Sequence, residues 1–185
     1  MPTISYNDCD DTDGHAWFSS AANAEVDDAN ETDTSLSGGS SRYLNIGDWD
    51  GGVSVPSDAT IDDIYVRVRC YADNGPDPNY VQLSIMPEGG TRKYQAGYIA
   101  NGTATEYTLS GSPSYWGLSN SEAIDVLQDT EANNCWRIYG YLDRPAHFYA
   151  DFNIEFVEIQ VDYTEAPPPD PGSPDTSAIS VVASL

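Results

Sequence analysis

The residues first suggest hard-oxygen chemistry. Asp8, Asp10, Asp11 and Asp13, followed by Gly14, crowd carboxylates into seven residues. Calcium takes roughly six to eight oxygens, often from a flexible loop of this kind. The EF-hand register fails, because Gly14 at the sixth position puts Cys9 at the first. The run is therefore a candidate site for Ca2+ or another hard cation, with a hydrated acidic loop as the plainer reading. Trp49 and Trp116 are candidate platforms for stacking against a sugar ring. Trp116 lies in Tyr-Trp-Gly-Leu (115–118), where it equally suits a plug at one end of a sandwich. Trp136 shares parity with Ile138 and reads as core. Arg67 and Arg69, flanked by Tyr65 and Tyr71, place two of only seven cations on one strand face. Arg and Tyr are residue types that anchor interfaces. Pairing with acids of a neighbouring strand, such as Asp151 or Glu155, is the competing use of these arginines.

Catalysis has no comparable constellation. His15 sits in an Asp-rich stretch beside Trp17, and His147 precedes the last strand; neither falls in a catalytic spacing. GxSxG, P-loop and GxGxxG patterns are absent from the sequence. Carboxylate pairs such as Asp27-Asp28 and Asp62-Asp63 are too common here to mark an acid/base dyad. The sequence reads as that of a non-enzyme that requires no cofactor. The sequons Asn30-Glu-Thr32 and Asn101-Gly-Thr103 matter only to a chain that meets a glycosylation machinery.

These residues must be positioned mostly by strands. Ile61–Ala72 alternates strictly, with Ile64, Val66, Val68 and Cys70 on one face and Tyr65, Arg67, Arg69 and Tyr71 on the other. Val81–Met86 alternates with Val81, Leu83 and Ile85 inward. Lys93–Ile99 and Thr103–Leu109 flank Asn101-Gly102, which predicts a hairpin. Cys135–Leu142 reads as another strand. The long strand Phe148–Tyr163 slips in parity, from Phe152, Ile154 and Phe156 to Val157, Ile159, Val161 and Tyr163. One inserted residue near Phe156-Val157, a β-bulge, accounts for the slip. Ser119-Asn-Ser-Glu122 is a capping box that opens a helix of two turns at most.

The expected fold is all-β: an antiparallel, jelly-roll-like β-sandwich with one short helix. Residues 53–163 form its core. Residues 1–52 supply an acidic arm, loops and two or three short strands joining it, with 23–41 as a long surface loop. Residues 164–185 are a Pro-rich spacer ending in AISVVASL, whose Ile179, Val181, Val182 and Leu185 suit docking on a sheet edge. A frayed end is the alternative. Of the three cysteines, Cys70 and Cys135 sit in strand patterns, where a bridge and two buried thiols are both open.

Composition sets the partners. The chain has 185 residues, with 30 acids against 7 bases and a net charge of −23. Its 21 Asp, 9 Glu and single lysine, Lys93, argue against nucleic acid, whose binding releases counterions to a cationic footprint, and against anionic membrane surfaces. Such a surface suits concentrated salt, which screens self-repulsion to about 3 Å at 1 M. The opening MPTISYNDCDDTDG has no basic or apolar leader region, so none is expected to direct secretion.

Ile61 to Tyr163 resembles a β-sandwich domain of virion structural proteins of tailed phages and haloarchaeal tailed viruses. The resemblance rests on Ala-Thr-Ile-Asp-Asp-Ile-Tyr-Val-Arg-Val (59–68), on Tyr-Trp-Gly-Leu (115–118) with its following Ser/Glu-led helix, and on the closing Val-Asp-Tyr-Thr of strand 150–163. It covers about 55% of the chain; the acidic N-terminal part and the proline-linked tail have no counterpart. It implies a virion surface component, a capsid decoration or turret subunit assembled in the cytoplasm of a halophilic host. Its partners would be sister subunits and other virion proteins, met through Tyr65, Arg67, Arg69, Tyr71 and the Ile179–Leu185 segment. The alternative is a tail-associated adhesion module that binds a glycan or an S-layer.

Overall fold

Strand β4 (Thr60–Asp73) carries the clearest alternation and forms the spine of one sheet. Ile64, Val66, Val68, Cys70 and Ala72 are fully buried, while Tyr65, Arg67, Arg69 and Tyr71 lie half-buried on the other face. The computed structural model describes residues 3–13, 32–49, 55–74, 80–128 and 136–168, and side chains for 33–46, 55–74, 80–128 and 136–168. The remaining strands are β1 (Thr3–Asp13), β2 (Thr32–Ser37), β3 (Ser41–Trp49), β5 (Val81–Pro87), β6 (Lys93–Tyr94), β7 (Thr105–Gly111), β8 (Trp136–Leu142) and β9 (Tyr149–Thr164).

They form two antiparallel sheets. In sheet A, β9 lies between β4 and the pair β1 and β2, with β7 beyond β4. In sheet B the order is β6-β5-β8-β3-β1. β1 belongs to both. Its Thr3–Asp8 half pairs with β9, and its Cys9–Asp13 half pairs with β3. A strand that changes sheets in this way makes the corner of a sandwich. The inner faces contribute Leu44, Ile46, Leu83, Ile85 and Ile138 from sheet B and Val66, Val68, Val157, Ile159 and Val161 from sheet A, all at most 1% exposed. The fold is the expected antiparallel β-sandwich.

The parity slip in β9 is real. Arg69 pairs with Phe156 but Cys70 with Ile154, so Glu155 is the extra residue of a bulge. Residues on both sides of it can then face the core: Ile154 and Phe152 before, Val157 and Ile159 after. A second shift in β4 lies between Ile61 and Asp63.

The capping box also holds. Ser119 N donates to Glu122 Oε2 at 2.7 Å, and Glu122 N to Ser119 Oγ at 3.3 Å. They open α2 (Asn120–Gln128), half a turn longer than expected. Asn120 fastens α2 to the start of β4, accepting from Ile61 N at 2.7 Å and donating to Ala59 O at 2.8 Å. A one-turn helix, α1 (Pro113–Trp116), precedes it and ends at Gly117 with φ 78°. Pro113 starts that turn, and Gly117 adopts the left-handed conformation that stops it.

Three expectations need correction. The segments flanking Asn101-Gly102 do not form a hairpin: β6 pairs with β5 in sheet B, and β7 with β4 in sheet A. The turn instead carries the chain between sheets, held where Ala72 N donates to Ala100 O and Gly102 N to Ala72 O, at 2.9 and 2.8 Å. The stretch 23–41 is not one loop, since β2 and the start of β3 fall within it. The Asp8–Asp13 run is strand backbone, not a loop. Polar composition hid these strands, because side-chain periodicity signals a strand only where one face is apolar.

Candidate functional site

The outer face of sheet B is built on the alternation of β3, β5 and β8. With Leu83, Ile85, Leu44, Ile138 and Gly140 turned inward, the residues between them turn out. The register then lays Tyr94, Ser84, Tyr139 and Tyr43 in one row across four strands. Gln82, Tyr141 and Ser41 form the next row. Tyr43 and Tyr139 meet with ring centroids 5.1 Å apart.

Arg92, just before β6, lies across these rows. Its Nε donates to Ser84 Oγ at 2.7 Å and its Nη2 to Ser41 Oγ at 3.2 Å. The guanidinium carbon sits 3.8 Å from the Tyr139 ring centroid and 5.3 Å from that of Tyr94. This stacking holds the side chain flat on the sheet. Ser41, Gln82, Arg92, Tyr94 and Tyr141 line a groove of about 640 Å³, within the range of small-ligand sites. Tyr94 is 54% exposed. Arg137 closes the side toward Glu88 with an ion pair of 2.9 Å. Beyond Tyr141, Tyr98 Oη donates to Asp143 Oδ2 at 2.7 Å. That bond, then desolvation and the nearby Asp143 charge, raise the Tyr98 pKa.

Chemically, the face offers aromatic rings, a planar cation, hydroxyls and an amide. Such a set binds a ligand with apolar CH faces and polar edges; it holds no nucleophile backed by a base. Sequence reasoning missed it, although the signal was present. Arg137, Tyr139 and Tyr141 share the solvent-facing parity of a strand whose other parity is apolar. Aromatic residues on that parity are the trace this outer face leaves in the sequence.

The residues singled out from sequence are dispersed. Trp116 is fully buried, its ring 5.1 Å from that of Trp136 and its Nε1 donating to Ile64 O at 3.4 Å. It plugs the core and cannot stack on a ligand, which corrects its candidacy as a sugar platform. Trp136 is core, as expected. Trp49 ends β3, and its side chain lies outside the described residues, as do those of Asp8, Asp10, Asp11 and Asp13. Ile179, Val181, Val182 and Leu185 also lie outside them.

Tyr65, Arg67, Arg69 and Tyr71 are together on the outer face of sheet A, as β4 requires. Arg67 pairs with Glu158 and, at 3.6 Å, with Glu106; Arg69 Nε meets Glu155 Oε2 at 2.8 Å. Glu155 is thus a local partner as anticipated. Asp151 is not: it accepts from Ser35 Oγ at 2.6 Å and Asn74 Nδ2 at 3.0 Å. Cys70 is a free thiol in the core, so it forms no bridge with Cys135. Burial, and then the Glu155 charge, push its pKa up, which leaves it an inert apolar side chain. Among the described residues, no helix is long and apolar enough to cross a membrane.

No family model matches the sequence, and no curated protein matches it. A solved structure described as "CBM4 structure and function" aligns with a TM-score of 0.38 and 9% identity, over 74% of this chain and 87% of that one. A likeness that loose carries no functional weight.

Proposed function

We propose that the chain is a non-catalytic binding domain, an adhesion module whose ligand is a carbohydrate held on the outer face of sheet B. The groove between Tyr94, Arg92 and Tyr141 carries this reading. Tyrosine rings offer flat apolar surface to the CH faces of a sugar, and Ser41 and Gln82 offer hydrogen bonds to its hydroxyls. Titration of the full chain with neutral and acidic oligosaccharides by calorimetry tests it. Saturable binding that Tyr141→Ala weakens by about tenfold is the expected result. Heat indistinguishable from dilution across all sugars would end the reading.

A second reading, a structural component on the surface of a tailed virus of a halophilic host, is favoured by a different feature. Among the described strands, β7 pairs on one side alone, leaving its other edge open. An open edge accepts an added strand, and the apolar segment Ile179–Leu185 of a sister subunit suits that role. Removing residues 165–185 is then expected to dissociate an assembled oligomer; an unchanged oligomeric mass would eliminate this docking.

A further inference from the structure

We infer that the groove on sheet B selects a sugar bearing an anionic substituent, a carboxylate or a sulfate, and that Arg92 is the residue that selects it. The inference rests on the carbohydrate reading of that groove and narrows it.

The argument begins with where cations are spent. The chain carries −23 overall, so an arginine has many carboxylates to choose from. Among the described residues, ion pairs occupy Arg67, Arg69 and Arg137, and none involves Arg92. Arg92 is instead held by two serine hydroxyls and two tyrosine rings, all neutral. One face of its guanidinium lies on Tyr139. Its remaining N–H donors point along the plane of the group, where a carboxylate or sulfate accepts two parallel bonds. The rings fix the plane before any ligand arrives, so little rotamer freedom remains to be lost on binding.

The flanking residues argue for a sugar as the carrier of that anion. Tyr94 and Tyr141 line the groove with aromatic rings, while Ser41 and Gln82 provide neutral hydrogen-bonding groups. A polyanion such as nucleic acid is repelled by the remainder of the molecule. The same repulsion acts on an acidic saccharide, so the gain at Arg92 is read from the difference between acidic and neutral partners with the same rings.

Matched probes decide it. Oligogalacturonate and its methyl ester share rings and hydroxyls and differ in charge; a sulfated galactan oligomer and its desulfated form repeat the comparison. Calorimetry on the full chain, at the lowest salt in which it stays folded, is expected to give about tenfold tighter binding of at least one acidic member than of its neutral partner. Arg92→Gln is expected to erase that difference, Arg92→Lys to restore part of it, and thermal melting to confirm that both variants fold. The arm that responds tells carboxylate from sulfate. Equal binding of acid and ester, unaffected by Arg92→Gln, would overturn the inference and leave the carbohydrate reading standing. Absence of binding by every sugar would overturn both. An acidic peptide that binds as tightly as oligogalacturonate would overturn the assignment to sugars.

Discussion

At the scale of single residues, Ser119 and Glu122 show how few atoms decide where a helix begins. Each satisfies the other's backbone N–H, and these hydrogen bonds lower the Glu122 pKa. A carboxylate with a lowered folded-state pKa stabilises above its ordinary range and ceases to as pH falls through the folded value. The difference in melting temperature between the native chain and Glu122→Gln is therefore expected to be largest near neutral pH and to shrink as the medium is acidified below the usual glutamate range. Thermal melts across that interval check it. Ser119→Ala removes the reciprocal cap and is expected to cost about 1 kcal/mol. Trp116 belongs to the same scale. Its indole fills the sandwich end against Trp136, and Trp116→Ala is expected to destabilise by about 3–5 kcal/mol in denaturant titration.

At the scale of elements, the β9 bulge at Glu155 keeps both halves of a sixteen-residue strand facing the core. Deleting Glu155 removes the extra residue, so Ile154 and Val157 come to lie two positions apart and both halves of the strand keep facing the core in a regular ladder. The deletion is expected to leave the chain folded, as judged by circular dichroism, and loss of the fold would show that the bulge itself is needed. Glu155→Ala keeps the register, loses the ion pair to Arg69, and is expected to remain folded. The bulge, the helix cap and the spine of β4 were all legible because each leaves a local signature: a parity slip, a capping box, a strict alternation. The path around Asn101-Gly102 was not. A turn sequence gives the local geometry, but which sheet each flank joins depends on its partners: β5 takes the first flank from eight to ten residues before it, and β4 takes the second from 35 to 47 residues before it. The Arg92 groove escaped for a related reason. Its residues come from four strands, and they become neighbours through the register alone.

At the scale of the whole molecule, the acidic surface yields a prediction about medium. At −23, self-repulsion acts over about 10 Å in 0.1 M salt and about 3 Å in 1 M. The melting temperature is expected to rise steadily into the molar range, and light scattering behind size exclusion is expected to find the assembled state favoured there. A salt-indifferent monomer would remove the case for a brine-adapted protein. The two-sheet strand β1 has a consequence in time. Thr3 pairs with Asp162 and Asp13 with Asn45. Its half in sheet A thus has no partner until β9 has been synthesised. At ribosomal rates of about 5–20 residues per second, that wait is on the order of 10–30 s. During it the chain near β1 must neither collapse nor pair wrongly. The aspartates of Asp8–Asp13 lie mostly in the half that β3 can claim early, and their mutual repulsion there keeps the chain beside the waiting half extended and hydrated until the sandwich can close.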